Sequence, residues 1–267
     1  MDRKAFFAAL RRRESGVFGT SLSQAQVQGI EGILDAFATH GDGNPKTLGY
    51  ALATAYHETG RRMVPVREGF ASSDAGARRA VNNLARKRGP GSAVARYSQP
   101  TGKYGHVYYG RGHVQLTWID NYRDSSKDAG YDLVAYPDKM LDPVISARVL
   151  IRGLMDGRWN GQGKGIDHYL PKNGPDDLRN ARRTVNVTDK WQDIAGYYKS
   201  FMAAIKAAGG VGNLEPAKPE PPISAPKPTE KPVSAPKPAP APVTPAKQFS
   251  GVLAAFLRLL ASIWKGK

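Results

Sequence analysis

The sequence predicts a mainly α-helical domain, followed by a disordered linker and a short terminal helix. Three observations carry this. Apolar residues recur at helical spacing through residues 1–213, strand-like alternation is scarce, and the prolines are concentrated in one stretch. Of 20 prolines, 12 lie between Pro216 and Pro245. A segment of that composition cannot bury a core and reads as a polyproline-type tether over 214–248. Residues 249–267 then form a separate cationic amphipathic helix.

The elements follow in order. Ala5 to Leu10 is apolar for only six residues before Arg11-Arg12-Arg13, so it reads as an amphipathic helix and not as a secretion signal. Ser23 with Gln26 fits a capping box, and Val27, Ile30, Leu34 and Phe37 continue at helical spacing until His40-Gly41-Asp42-Gly43 stops the helix. Leu48, Ala51, Leu52 and Ala55 make the next stripe, closed near Gly60. Val107 to Leu116 is the one tempting strand. Asp142-Pro143 opens a helix through about Leu154, and Trp191 to Ile205 forms another, ended by Gly209-Gly210. In the tether, Ser-Ala-Pro-Lys-Pro occurs at 224–228 and again at 234–238. In the last segment Arg258, Ser262 and Lys265 form a narrow polar stripe on an otherwise apolar helix that also carries Trp264. That pattern predicts contact with an anionic membrane surface through Arg258, Trp264 and Lys265, with docking onto the protein as the alternative.

The formal charge of +16 implies an anionic partner: nucleic acid, membrane or cell-wall polymer. No nucleic-acid-binding motif or recognition helix appears, so nucleic acid is not expected. The absence of cysteine excludes disulfides, thiolate metal sites and a cysteine nucleophile.

Chemistry is concentrated in three segments. In Ala55-Tyr56-His57-Glu58-Thr59-Gly60 the His-Glu pair invites a zinc-protease reading. Arg61 stands where the second histidine is needed, so no metal is expected. Glu58 continues the apolar stripe at the end of its helix, where it could serve as a general acid or simply pair with Arg61 or Arg62. Ten residues on, Glu68 follows Arg67 as a second candidate carboxylate or an ordinary surface pair. Two facing carboxylates can cleave a glycosidic bond. The third segment, Tyr108-Tyr109-Gly110-Arg111-Gly112-His113-Val114-Gln115-Leu116-Thr117-Trp118 through Asn121-Tyr122, interleaves aromatic, amide and hydroxyl groups in the way sugar binding requires.

The motifs at 55–60 and 108–117, with Asn121-Tyr122, resemble glycoside hydrolase family 19, the chitinases and related phage or prophage endolysins. The resemblance covers roughly residues 20–210. It implies a lysozyme-like helical fold with a substrate cleft and inverting endo-hydrolysis of β-1,4-linked N-acetylated sugars, without a cofactor. Glu58 matches the general acid, Glu68 the base, with Asp74 as second choice, and Thr117 the residue that holds the attacking water. The resemblance places His57, Tyr109, Arg111, Gln115, Asn121, Tyr122, Arg183 and Asn186 on the substrate side. Peptidoglycan is the preferred substrate, given the charge and the missing cysteines, and chitin is the alternative. A non-catalytic wall- or membrane-binding protein is the rival of another class. The expected setting is a monomer made in the cytoplasm and acting on the wall or periplasm, if phage encoded.

Overall fold

The computed structural model describes residues 1–160 and 162–217. The tether and terminal helix expected over 218–267, including Arg258, Trp264 and Lys265, lie outside the described residues. The compact unit is Met1–Ala217. It therefore takes in the first four residues assigned above to the linker. Arg3 donates to the Glu215 carbonyl at 2.7 Å, and the Ala217 amide donates to Asp35 at 2.8 Å, which fastens this stretch to the helices.

Helix α1 (Arg3–Leu10) buries Phe6, Phe7 and Leu10 and is capped by Asp2. Helix α2 (Gln24–His40) starts with the full Ser23–Gln26 capping box, satisfying two main-chain donors reciprocally. Helix α3 (Pro45–Glu58) has Asn44 as N-cap and Pro45 in its first turn. Every residue from Thr47 to Tyr56 is buried, so α3 is the central rod. It packs against α10 (Trp191–Ala207), α7 (Pro143–Asp156) and α2. Its small residues permit that enclosure: a Cβ at Gly49 would lie 2.6 Å from Met202 Sδ. Asp142 caps α7 by accepting from the Val144 and Ile145 amides.

Beside this main core, α4 (Asp74–Arg88) and α5 (Ala93–Tyr97) enclose a smaller one of Ala77, Val81, Val94, Val107 and Tyr109. The segment expected as a strand over 107–116 forms something shorter. Only Arg111–Gly112 (β2) is paired, antiparallel to Val66–Arg67 (β1), with Arg67 opposite Arg111. Left-handed Gly112 and Gln115 then turn the chain back so that Arg111 and Leu116 exchange both main-chain bonds. A ten-residue strand is impossible through that turn. Helix α6 (Ile119–Ala129) follows directly.

Candidate active site

The site is built where the end of α3, the β1–β2 ribbon and the turn into α6 meet. Glu58 is the last residue of α3, so the fully buried rod fixes its position. Its carboxylate pairs with Arg182 at 2.8 Å, not with Arg61 or Arg62. Arg182 is buried, and its Nε donates to the Asp189 carbonyl at 3.0 Å, so the pair is held from the protein side. His57, the preceding residue, is desolvated, which lowers its pKa below the usual value despite the nearby Glu58.

The loop after α3 carries Glu68. It is tightly determined: Met63, at φ 61°, donates its amide to the Thr59 hydroxyl and gives its carbonyl to His113. A Cβ on Gly29 of α2 would overlap the Met63 carbonyl oxygen at 1.9 Å, so glycine is required for this approach. Arg67 does not pair with Glu68 but reaches Asp138 at 2.7 Å. Glu68 turns the other way, accepting from the Gly110 amide at 3.0 Å and from the Tyr97 hydroxyl at 3.4 Å. Burial pushes the Glu68 carboxyl up, against those two hydrogen bonds and the field of Arg111. The negative charge of Glu58 adds to the upward shift. A side chain at Gly110 would lie 2.7 Å from Gln115 Oε1 and 3.2 Å from Glu68 Oε2.

Gln115, Thr117 and Asn121 are each partly accessible and form one chain of contacts. The Thr117 hydroxyl donates to the Gln115 carbonyl at 2.8 Å, and the Asn121 amide donates to the Thr117 carbonyl at 2.8 Å. Gln115 also donates to the Val66 carbonyl at 3.0 Å, tying this turn to the Glu68 loop. Non-glycine residues with positive φ cluster along these two loops: Arg61, Met63, Phe70, Gln115 and Trp118. Such conformations cost energy and persist where the surroundings dictate them, often at functional sites.

Three of the expected substrate contacts are corrected. Tyr109, Arg111 and Tyr122 are buried, so they have no surface to offer a sugar. They form a scaffold: the Arg111 guanidinium lies 3.6 Å from the centre of the Tyr109 ring and donates to the Tyr122 hydroxyl, which donates to the Tyr109 carbonyl. Asp74, the second choice for base, accepts from the Tyr109 hydroxyl at 2.8 Å and faces Arg111. It belongs to the same scaffold. Arg183 bonds Asn180 at 2.9 Å, while its neighbour Arg182 holds Glu58. Asn186 turns its side-chain oxygen onto the Val187 amide.

Three residues not singled out in the sequence as site residues now join the site. Arg182 could have been found only from the helical phase of 181–184, since Arg183 beside it is the same residue type. Tyr97 carried no local signal. Trp118 sits inside the quoted motif; it is 36% exposed and meets Tyr97 edge-on at 5.3 Å, offering an aromatic wall beside Glu68.

Residues 23–160 match the family model described as chitinase class I of glycoside hydrolase family 19. An endochitinase of Persea americana is 38% identical over 147 residues, covering 45% of this chain and 43% of that protein. The chain thus spans less than half the length of that curated relative. Among solved structures, chitinase C from Streptomyces griseus HUT6037 is similar at 18% identity and a TM-score of 0.43, covering 79% of this chain and 92% of that one. A mutant of chitinase C gives 17% identity and the same TM-score of 0.43, over 80% of this chain and 96% of that one. With the family model matched over more than half its residues, the chain belongs to glycoside hydrolase family 19.

Proposed function

We propose that this chain hydrolyses internal β-1,4 glycosidic bonds in N-acetylated cell-wall polysaccharide by a two-carboxylate, inverting mechanism. The observation that carries this reading is the pairing of Glu58 and Glu68 in unlike settings. Arg182 orients the first, while the second is desolvated and met by neutral donors from Gly110 and Tyr97. Glu58 gives its proton to the glycosidic oxygen as the bond to the anomeric carbon breaks. Glu68 takes a proton from the water that attacks that carbon from the opposite face. A desolvated carboxylate is a stronger base than a solvated one, which suits this second role. The Thr117 hydroxyl, already committed to the Gln115 carbonyl as donor, has lone pairs left to accept from that water. Trp118 and Tyr97 supply ring faces for the sugar.

On substrate, the net charge of +16 favours peptidoglycan, since a basic protein concentrates at an anionic envelope. Chitin is the second reading, supported by the endochitinase to which the chain is similar. Analysis of reducing ends released from purified peptidoglycan and from chitin separates the two. The reading predicts faster release from peptidoglycan, and a reversed order makes the chain a chitinase. The apolar, basic segment 249–267 is assigned the further role of touching an anionic membrane, through Arg258, Trp264 and Lys265. The setting proposed is an enzyme made in the cytoplasm and acting as a monomer on the wall.

A further inference from the structure

A pocket of about 520 Å³ opens beside Arg111 of the β1–β2 ribbon and takes no part in the reaction above. It is lined by Asp74, His106, Arg111, Tyr136, Asp138 and Lys139, among others, and by none of Glu58, Glu68, Gln115, Thr117 or Asn121. Its volume is that of a small-ligand site, for which roughly 300–1,000 Å³ is usual.

The ribbon register builds its floor. Directly paired residues in an antiparallel ladder share a face, so Arg67 and Arg111 project together. They grip both oxygens of Asp138, at 2.7 and 2.8 Å. Asp74 is held from below by the Tyr109 hydroxyl and Arg111, at 2.8 and 3.4 Å. Both carboxylate side chains nevertheless remain 48% exposed. They are therefore fixed acceptors with free lone pairs facing the opening, and binding a hydroxyl donor there costs little side-chain entropy.

Two rings, Tyr136 and His106, stand on the rest of the wall beside Arg78 and Lys139. Tyr136 is 62% exposed, and Pro137 continues the chain behind it. His106, also in the lining, stacks on Tyr104, with ring centres 6.0 Å apart and planes within 25°, and is anchored by the Ala135 carbonyl at 3.0 Å. An anionic ligand is disfavoured because each cation of the lining already has a partner: Arg111 is covered by Asp74 and Asp138, Arg78 faces Asp74 at 3.4 Å, and the Lys139 ammonium lies 4.3 Å from the centre of the Tyr131 ring. A bare cation is disfavoured because those carboxylates are already neutralised. What remains is a neutral polyhydroxylated ring, with C–H faces for the aromatics and hydroxyl donors for the aspartates.

We propose that this pocket is a second saccharide-binding site, outside the catalytic cluster, which takes a strand of N-acetylated sugars. The proposal rests on the reading that the enzyme acts on such polymers. A second contact on the same polymer raises the effective concentration of bonds at the cleft, an advantage on insoluble substrate that short soluble oligomers cannot share.

The test is an amide-shift titration of the full chain carrying Glu58→Gln with chitohexaose. Two groups of signals should move with separable saturation, one around Gly110 to Asn121 and one around Tyr104–Val107 and Ala135–Lys139. Adding Tyr136→Ala should silence the second group and leave the first. In the otherwise wild-type enzyme, Tyr136→Ala should slow turnover of insoluble polymer severalfold and leave kcat/KM on soluble oligomers unchanged. Shifts confined to the first group would overturn the second site while leaving the catalytic reading intact. No shifts in either group would overturn both.

Discussion

At the scale of single residues, the chemistry turns on what surrounds each carboxylate. Glu68 is raised by desolvation and partly relieved by two hydrogen bonds that favour its charged form. Removing the Tyr97 hydroxyl withdraws one of those, so Tyr97→Phe should raise the Glu68 pKa further. As the base must be deprotonated to work, the acid limb of the kcat profile should move to higher pH, with the plateau rate largely kept. An unmoved limb, read from rates measured across pH, would remove Tyr97 from this role. Both carboxylates could be picked out as candidates in the sequence, Glu58 from the 55–60 motif and Glu68 from its ten-residue spacing beyond it. Arg182 was not: it meets Glu58 only through folding, and the adjacent Arg183 offered an equally good match. Tyr109, Arg111 and Tyr122 were placed on the substrate side by the resemblance. For Tyr109 and Arg111 an irregular segment gives no periodic signal of which side faces inward, and Tyr122 lies in the first turns of α6 with only a short apolar pattern around it.

At the scale of elements, the helices were legible from caps and apolar spacing, and α2, α3, α7 and α10 form close to where the sequence places them. The 107–116 segment was not, since its fold depends on positive φ at Gly112 and Gln115 and on partners from the 59–69 loop. His113 is the tie that joins these pieces. Its Nε2 meets the Met63 carbonyl at 3.0 Å and its Nδ1 the Ser146 hydroxyl of α7, also at 3.0 Å. Burial lowers its pKa to about 4. Between the ordinary histidine value near 6.5 and about 4, the unfolded chain takes up a proton that the folded chain refuses. Acidification through that window should therefore cost stability, roughly 3 kcal/mol by its lower end. Glu68, raised on folding, works in the opposite sense over part of the same range. The check is thus a comparison of urea unfolding for wild type and His113→Gln at neutral and acid pH. The variant should be less stable at neutral pH and lose less on acidification; equal losses would contradict the assignment.

At the scale of the whole molecule, a buried central helix ends at Glu58, the proposed acid, and a short two-stranded ribbon lies beyond it. Glu68 lies toward the catalytic cluster, while the Arg67–Asp138–Arg111 network lies toward the second pocket. The basic excess is shared between residues 1–214, at +11, and residues 215–267, at +5. The proposal is that this charge holds the enzyme at an anionic envelope. Deleting 249–267 should weaken binding to anionic vesicles without changing hydrolysis of soluble substrate, and unchanged vesicle binding would count against the membrane role. The central claim, that Glu58 is the general acid of a two-carboxylate hydrolase, is tested most directly by turnover and sugar binding of Glu58→Gln. The variant keeps the shape of the side chain and removes its transferable proton. Turnover should fall by about 10²–10⁴-fold while oligosaccharide affinity is retained. Near wild-type turnover in that variant would contradict the account.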